Sequence, residues 1–119
     1  MPALALLKLL TWWDRRGTTT RDAVDLAEMI SWYSSVTSLD RLYDELEALE
    51  ANEYDPALAG AWLLGSQMPA LLDGDGRGVL LRIAEDRDAL GRLAADAQAV
   101  RAPQPMLVLG AGIREAAGR

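Results

Sequence analysis

The sequence predicts an all-α protein, an antiparallel bundle of about five to six helices, and three observations predict it. Apolar residues recur at helical spacing through most of the chain. The segments between those runs are short and place Thr, Ser, Asp, Gly or Pro where helices start and stop. Short connections between amphipathic helices make consecutive helices antiparallel neighbours. At 119 residues, half of them apolar and a quarter charged, the chain is ordinary globular material and holds one core.

The first helix runs from Pro2, a good first-turn residue, to about Arg16, with Leu6, Leu10 and Trp13 as its apolar stripe. Lys8 falls roughly 200° round the axis from Leu6 and is expected to point away from that stripe. Arg15 returns to the same side, with Trp12 between the two on the outward face. Gly17 and three threonines form the connection, in which Thr19 and Asp22 have capping-box spacing. The second helix, about 20–34, presents Leu26, Met29, Ile30 and Tyr33 to the core, with Asp22 at the margin of that stripe. Asp22 and Asp25, three apart, share one face near its N-terminus.

A third helix, capped near Thr37 and ending about Ala51, carries Leu39, Leu42, Leu46 and Leu49 on one face and acids on the other. Asp55-Pro56 reads as cap and first residue of a fourth helix that is apolar nearly all round, and is therefore central. Gly60 inside it is expected at a close helix–helix approach. Ser66 is expected to cap a short segment with Pro69 in its first turn, and Asp73 to Gly78 to form an exposed loop. One further helix, about 78–100, turns Leu80, Ile83, Leu90, Leu93 and Ala97 inward. Pro103 and Pro105 end the helical domain, residues 1–102. The tail, 103–119, has a Met106 to Leu109 run that suits either a short strand or the start of a helix.

Composition narrows the chemistry. With no Cys and no His, thiolate chemistry, a Ser-His-Asp triad and the commonest zinc ligand are all excluded. The net charge of −6 is uneven: Lys8, Arg15, Arg16 and Arg21 outweigh Asp14 in residues 1–21, while ten acids face Arg41 alone in residues 22–55. Such an acidic chain does not suit a stand-alone nucleic-acid binder. No apolar run is long enough to span a membrane and no signal-peptide pattern opens the chain, so a cytoplasmic location is expected.

Lys8 in an apolar helix, Arg15-Arg16, and then Arg21-Asp22 and Asp25-Leu26 at this spacing resemble the third and fourth motifs of AbiEii-type (MenT-like) nucleotidyltransferase toxins. Arg41-Leu42-Tyr43, Tyr54-Asp55 and Leu58 through Gly65 resemble the C-terminal region of the same family, so the likeness covers roughly residues 3–72. It implies transfer of a nucleoside monophosphate from an NTP to an RNA, typically tRNA, or to a protein, in a toxin–antitoxin or phage-defence setting. On that resemblance Lys8, Asp22 and Asp25 are the catalytic candidates, and Lys8, Arg15 and Trp12 the nucleotide-binding ones. Cations at the phosphates would offset developing charge, and a carboxylate would sit near the attacking hydroxyl.

The family's Gly-Ser motif and metal-binding carboxylates have no counterpart: the one Gly-Ser, Gly65-Ser66, comes too late and lacks the following Asp pattern. No metal ligand is therefore assigned, and Mg²⁺ and NTP are expected only if an N-terminal domain or partner chain completes the site. The isolated chain is expected to be inactive. Expected partners are that missing domain or a cognate antitoxin, a second copy as a homodimer, and RNA only through the composite site. The alternative is a helical interaction or dimerisation module without catalysis, in which Lys8 belongs to an ordinary solvated face and the two aspartates are first-turn acids or pair structurally with Arg15 or Arg16.

Two other motifs fail on their own terms. Asp73-x-Asp75-Gly76 lacks calcium ligands at Arg77 and Ala84. Gly110-Ala-Gly112 has Glu115 where a dinucleotide fingerprint needs its third glycine.

Overall fold

A computed structural model of the chain describes residues 2–15, 17–36, 50, 52, 55–97 and 104–118. Among these residues the protein is all-helical, without strands. The six α-helices among the described residues are α1 (Pro2–Asp14), α2 (Arg21–Val36), α3 (Pro56–Ser66), α4 (Gly74–Glu85), α5 (Arg87–Asp96) and α6 (Gln104–Ala117). A single 3₁₀ turn, Pro69–Leu71, joins α3 to α4. The third expected helix, with Leu39, Leu42, Leu46 and Leu49, lies outside the described residues, as do Arg16, Arg41 and Tyr54.

The core is built on α3 and α6, which share the most extensive interface. Ala59, Ala61, Trp62, Leu63 and Leu64 are all buried, as a helix apolar on every side must be. Asp55 starts this helix: its carboxylate accepts the Leu58 N–H at 3.4 Å and its carbonyl the Ala59 N–H at 2.8 Å. Glycines other than Gly60 give close backbone approach on both sides of the seam. A Cβ on Gly65 would run into the Leu109 carbonyl, and one on Gly112 into the Trp62 carbonyl. Gly65 faces Leu109 while Gly112 faces Trp62, so residue numbers fall in one helix as they rise in the other: the pair is antiparallel. α2 packs against α3, α1 lies on α2, and α4 and α5 cover α6.

Several expectations are corrected. Asp73 to Gly78 is not a loop: Asp73 caps α4 by accepting the Gly76 N–H at 2.9 Å, and Arg77 Nε donates to the Pro69 carbonyl at 2.8 Å. These bonds hold a first turn that its glycines alone would not favour. The helix expected over 78–100 is two helices broken at Asp86, whose extended backbone ends α4 while its carboxylate caps α5 through the Ala89 N–H at 3.0 Å. Leu80, Ile83, Leu90 and Leu93 are nevertheless buried, with Ala97 packed partly against them. Ser66 ends α3 and donates back to the Leu63 carbonyl at 2.6 Å, so it caps nothing; the 3₁₀ turn begins at Met68 without a side-chain cap. The segment from Gln104 is a helix, and Met106, Leu109 and Ile113 are among the core.

The α1–α2 hairpin and its charged cluster

Two helices and one turn build the candidate site. Gly17, at φ 80°, supplies the left-handed residue that reverses the chain after α1, and the Thr18 N–H closes the turn on the Arg15 carbonyl at 3.0 Å. Thr19 Oγ1 accepts the Arg21 N–H at 3.2 Å, and α2 starts there. α2 then buries Ala23, Leu26, Ile30 and Tyr33, with Met29 half-buried against them.

α1 sits in a rotation different from the one expected. Its buried residues are Ala5, Leu6, Leu9 and Trp12, while Leu10 and Trp13 pack only partly against the core. Lys8 consequently lies on the flank of the buried face, about 90° from its middle at roughly 100° per residue. From that flank its ammonium reaches α2. Lys8 Nζ donates to Asp25 Oδ2 at 2.9 Å and stands 3.6 Å from Asp22 Oδ1. Asp22 is nearly buried, with 8% of its surface exposed, whereas Asp25 and Lys8 remain partly open to solvent. The hydrogen bond donated to Asp25 raises the Lys8 pKa above its ordinary 10.5; partial burial opposes this, and the charges of Asp25 and Asp22 add to the rise.

Lys8, Asp22 and Asp25 thus meet at the edge between α1 and α2, a convergence that follows from the observed rotation of α1. The pairing of the acids is with Lys8 and not with Arg15. Arg15 is exposed just beyond the end of α1 and makes no ion pair among the described residues. Trp12 departs from its expected place altogether. It is 0% exposed, and its indole N–H donates to Asp96 Oδ2 on α5 at 2.8 Å. A ring with neither face open cannot stack a nucleobase, so the outward-facing role is corrected: the rotation that brings Lys8 to α2 carries Trp12 into the core. Asp96, absent from the sequence-level candidates, carries no local signal; an isolated acid at the end of an amphipathic helix is unremarkable until the fold sets an indole against it.

The cluster's chemistry follows from its charges. A protonated lysine beside two ionised carboxylates is a net anionic group, with the ammonium oriented and the Asp25 carboxylate half-open to solvent. Lys8 at raised pKa is a fixed cation and not a base; a carboxylate is the only proton acceptor among the three. Among the described residues no group of three or more acids is disposed to hold a metal ion. Nor is any described helix long and apolar enough to cross a membrane.

Next to the cluster the hairpin exposes large apolar side chains. Leu4 and Leu7 on α1 and Trp32 on α2 are each about half exposed, at 47%, 58% and 54%. A shallow cleft of about 410 Å³ runs along α2 between Asp25, Glu28, Met29 and Trp32. Compared with known protein families, with curated proteins and with solved structures, the chain matches none of them.

Proposed function

We propose that this chain is the helical portion of an AbiEii-like nucleotidyltransferase and that its α1–α2 hairpin forms one wall of a nucleotide cleft. The observation that supports the reading is the convergence of Lys8 on Asp25 and Asp22. These are the residues that the motif resemblance nominates, and Lys8 Nζ stands 2.9 Å from Asp25 and 3.6 Å from Asp22. In this reading Lys8 offsets charge on the transferring phosphate, Arg15 reaches the outer phosphates, and Asp25, the more open carboxylate, faces the acceptor hydroxyl. Trp12 has no part in it. Magnesium and the NTP bind only when a metal-holding domain or partner chain completes the cleft.

The test is transfer of label from NTPs to tRNA in the presence of magnesium, by the chain alone and with a metal-holding nucleotidyltransferase domain supplied separately. No transfer is expected from the chain alone. Transfer is expected from the combination, with loss on Lys8→Met or Asp25→Asn. Transfer by the chain alone contradicts the composite site, and transfer that survives Lys8→Met removes Lys8 from the chemistry.

A second reading is favoured by a separate observation. Three of the four large apolar side chains exposed among the described residues, Leu4, Leu7 and Trp32, lie on this one hairpin. An apolar patch of that kind suits a covered interface, with an antitoxin, a catalytic domain or a second copy against it. Sedimentation velocity of the wild type and of Leu7→Glu separates these cases. A dimer dissociated by Leu7→Glu supports self-association, and a monomer throughout excludes it.

A further inference from the structure

We infer that Asp96 is a positioning residue: by accepting the Trp12 indole N–H it selects the rotation of α1 that delivers Lys8 to Asp25 and Asp22. Its meaning for phosphate handling rests on the function proposed above; the placement itself does not.

The rotation of α1 is ambiguous in its sequence. Residues 3–7, 9, 10, 12 and 13 are all apolar, so two stripes compete for the core. One is Ala5, Leu9 and Trp12, with Leu6 buried at its edge; the other is Leu6, Leu10 and Trp13. They differ by about 100° of rotation, one residue's worth. Apolar burial discriminates weakly between them, because Leu6 is common to both and each adds one further Leu and a Trp. The consequences for Lys8 are opposite. In the observed rotation it flanks the buried face and bonds to α2; in the other it points away from α2 into solvent.

A polar contact breaks the tie. Buried Trp requires a partner for its indole N–H. Trp12 finds one in Asp96, 84 residues away on α5, at 2.8 Å. Trp13 is half-buried, its ring centroid 6.3 Å from that of Trp12. Lys8 and Trp12 are one helical turn apart, about 40° round the axis, so fixing one fixes the other. α1 packs chiefly on α2, and the Trp12–Asp96 bond is a side-chain tie from it to α5. Two hydrogen bonds, one to each neighbour, thereby define its rotation.

Lys8 is the sole lysine of the chain, which makes the test direct. In protein labelled with ¹⁵N-lysine, a single Nζ resonance reports whether the ammonium is held by a carboxylate or exchanges freely with water. The wild type is expected to show a slowly exchanging, hydrogen-bonded Nζ signal. Asp96→Ala should abolish it and Asp96→Asn, whose amide oxygen still accepts the indole N–H, should restore it. Trp12→Phe keeps a buried ring, lacks the donor, and should reproduce the loss. Asp86→Ala, which weakens α5 at its cap without touching Trp12, should leave the signal in place. A folded Asp96→Ala or Trp12→Phe protein with the wild-type Nζ signal overturns the inference. So does loss in Asp86→Ala, which would make any destabilisation of α5 sufficient. No nucleotide enters this experiment, so its failure leaves the proposed transfer reaction standing, and failure of that reaction leaves the positioning role standing.

Discussion

The α3–α6 pair and the α1–α2 hairpin are built by different means. Between α3 and α6 the contacts are apolar, and at Gly65 and Gly112 the backbones meet with no room for a methyl group. In the hairpin the buried stripe is one of two that the sequence allows, and charged or polar pairs decide the outcome: Lys8 with Asp22 and Asp25, Trp12 with Asp96. Close packing without polar groups gives stability and one geometry. A hairpin held by ion pairs at its open edge gives less stability, and it leaves side chains in reach of a ligand or partner. The contrast separates a seam that fixes the fold from a hairpin whose edge stays open.

Mutations in the seam should cost most. Leu64, fully buried in α3, should lose about 2–5 kcal/mol on truncation to Ala through lost transfer energy and the cavity left behind. Urea denaturation measures it, and a loss below about 1 kcal/mol would remove α3 from the centre of the core. Gly112→Ala comes next. Its methyl group would meet the Trp62 carbonyl, a backbone atom that cannot rotate away, so overpacking should cost about 1–3 kcal/mol in the same assay. Gly110→Ala sharpens the point: its new methyl would press on the flexible end of Leu90 instead, and a smaller loss is expected. At the α4–α5 break, Asp86→Ala removes the cap on Ala89 and should cost about 0.5–2 kcal/mol.

The hairpin's contribution is expected to be the smallest and to depend on pH. Because the folded Lys8 pKa is raised above 10.5, its stabilisation is fully present below that value and is lost as pH rises through the folded pKa. The difference in urea midpoint between wild type and Lys8→Met should therefore be constant near neutral pH and shrink in strong alkali. A difference that grows with alkalinity would contradict the Asp25 hydrogen bond as the cause.

Legibility in the sequence followed the same division. α3 was readable because an all-round apolar segment behind Asp55-Pro56 has one physical solution, burial at the centre. α2 was readable because its polar face is polar enough to fix the other. Asp22, Asp25 and Lys8 were legible as a group, although their partners were not: Arg15 stays out in solvent and Lys8 takes both acids. The rotation of α1 was not legible, since two stripes of similar hydrophobicity overlap and a residue on α5 tips the balance. The helix over Asp73 to Gly78 was hidden by glycines that a capping aspartate overrides. The break at Asp86 was hidden because the apolar spacing from Ile83 to Leu90 is seven residues, which suits one continuous helix or two.

The assignment of phosphate handling to the hairpin is tested most directly by adding inorganic tripolyphosphate with magnesium, together with an unlabelled metal-holding nucleotidyltransferase domain, to chain labelled with ¹⁵N in lysine and arginine. The account predicts that the Lys8 Nζ and Arg15 Nε resonances shift together. The Nε signals of Arg77 and Arg114, whose guanidiniums donate to the Pro69 and Ala84 carbonyls, should stay in place. Equal shifts at all four, or none at Lys8, would contradict it.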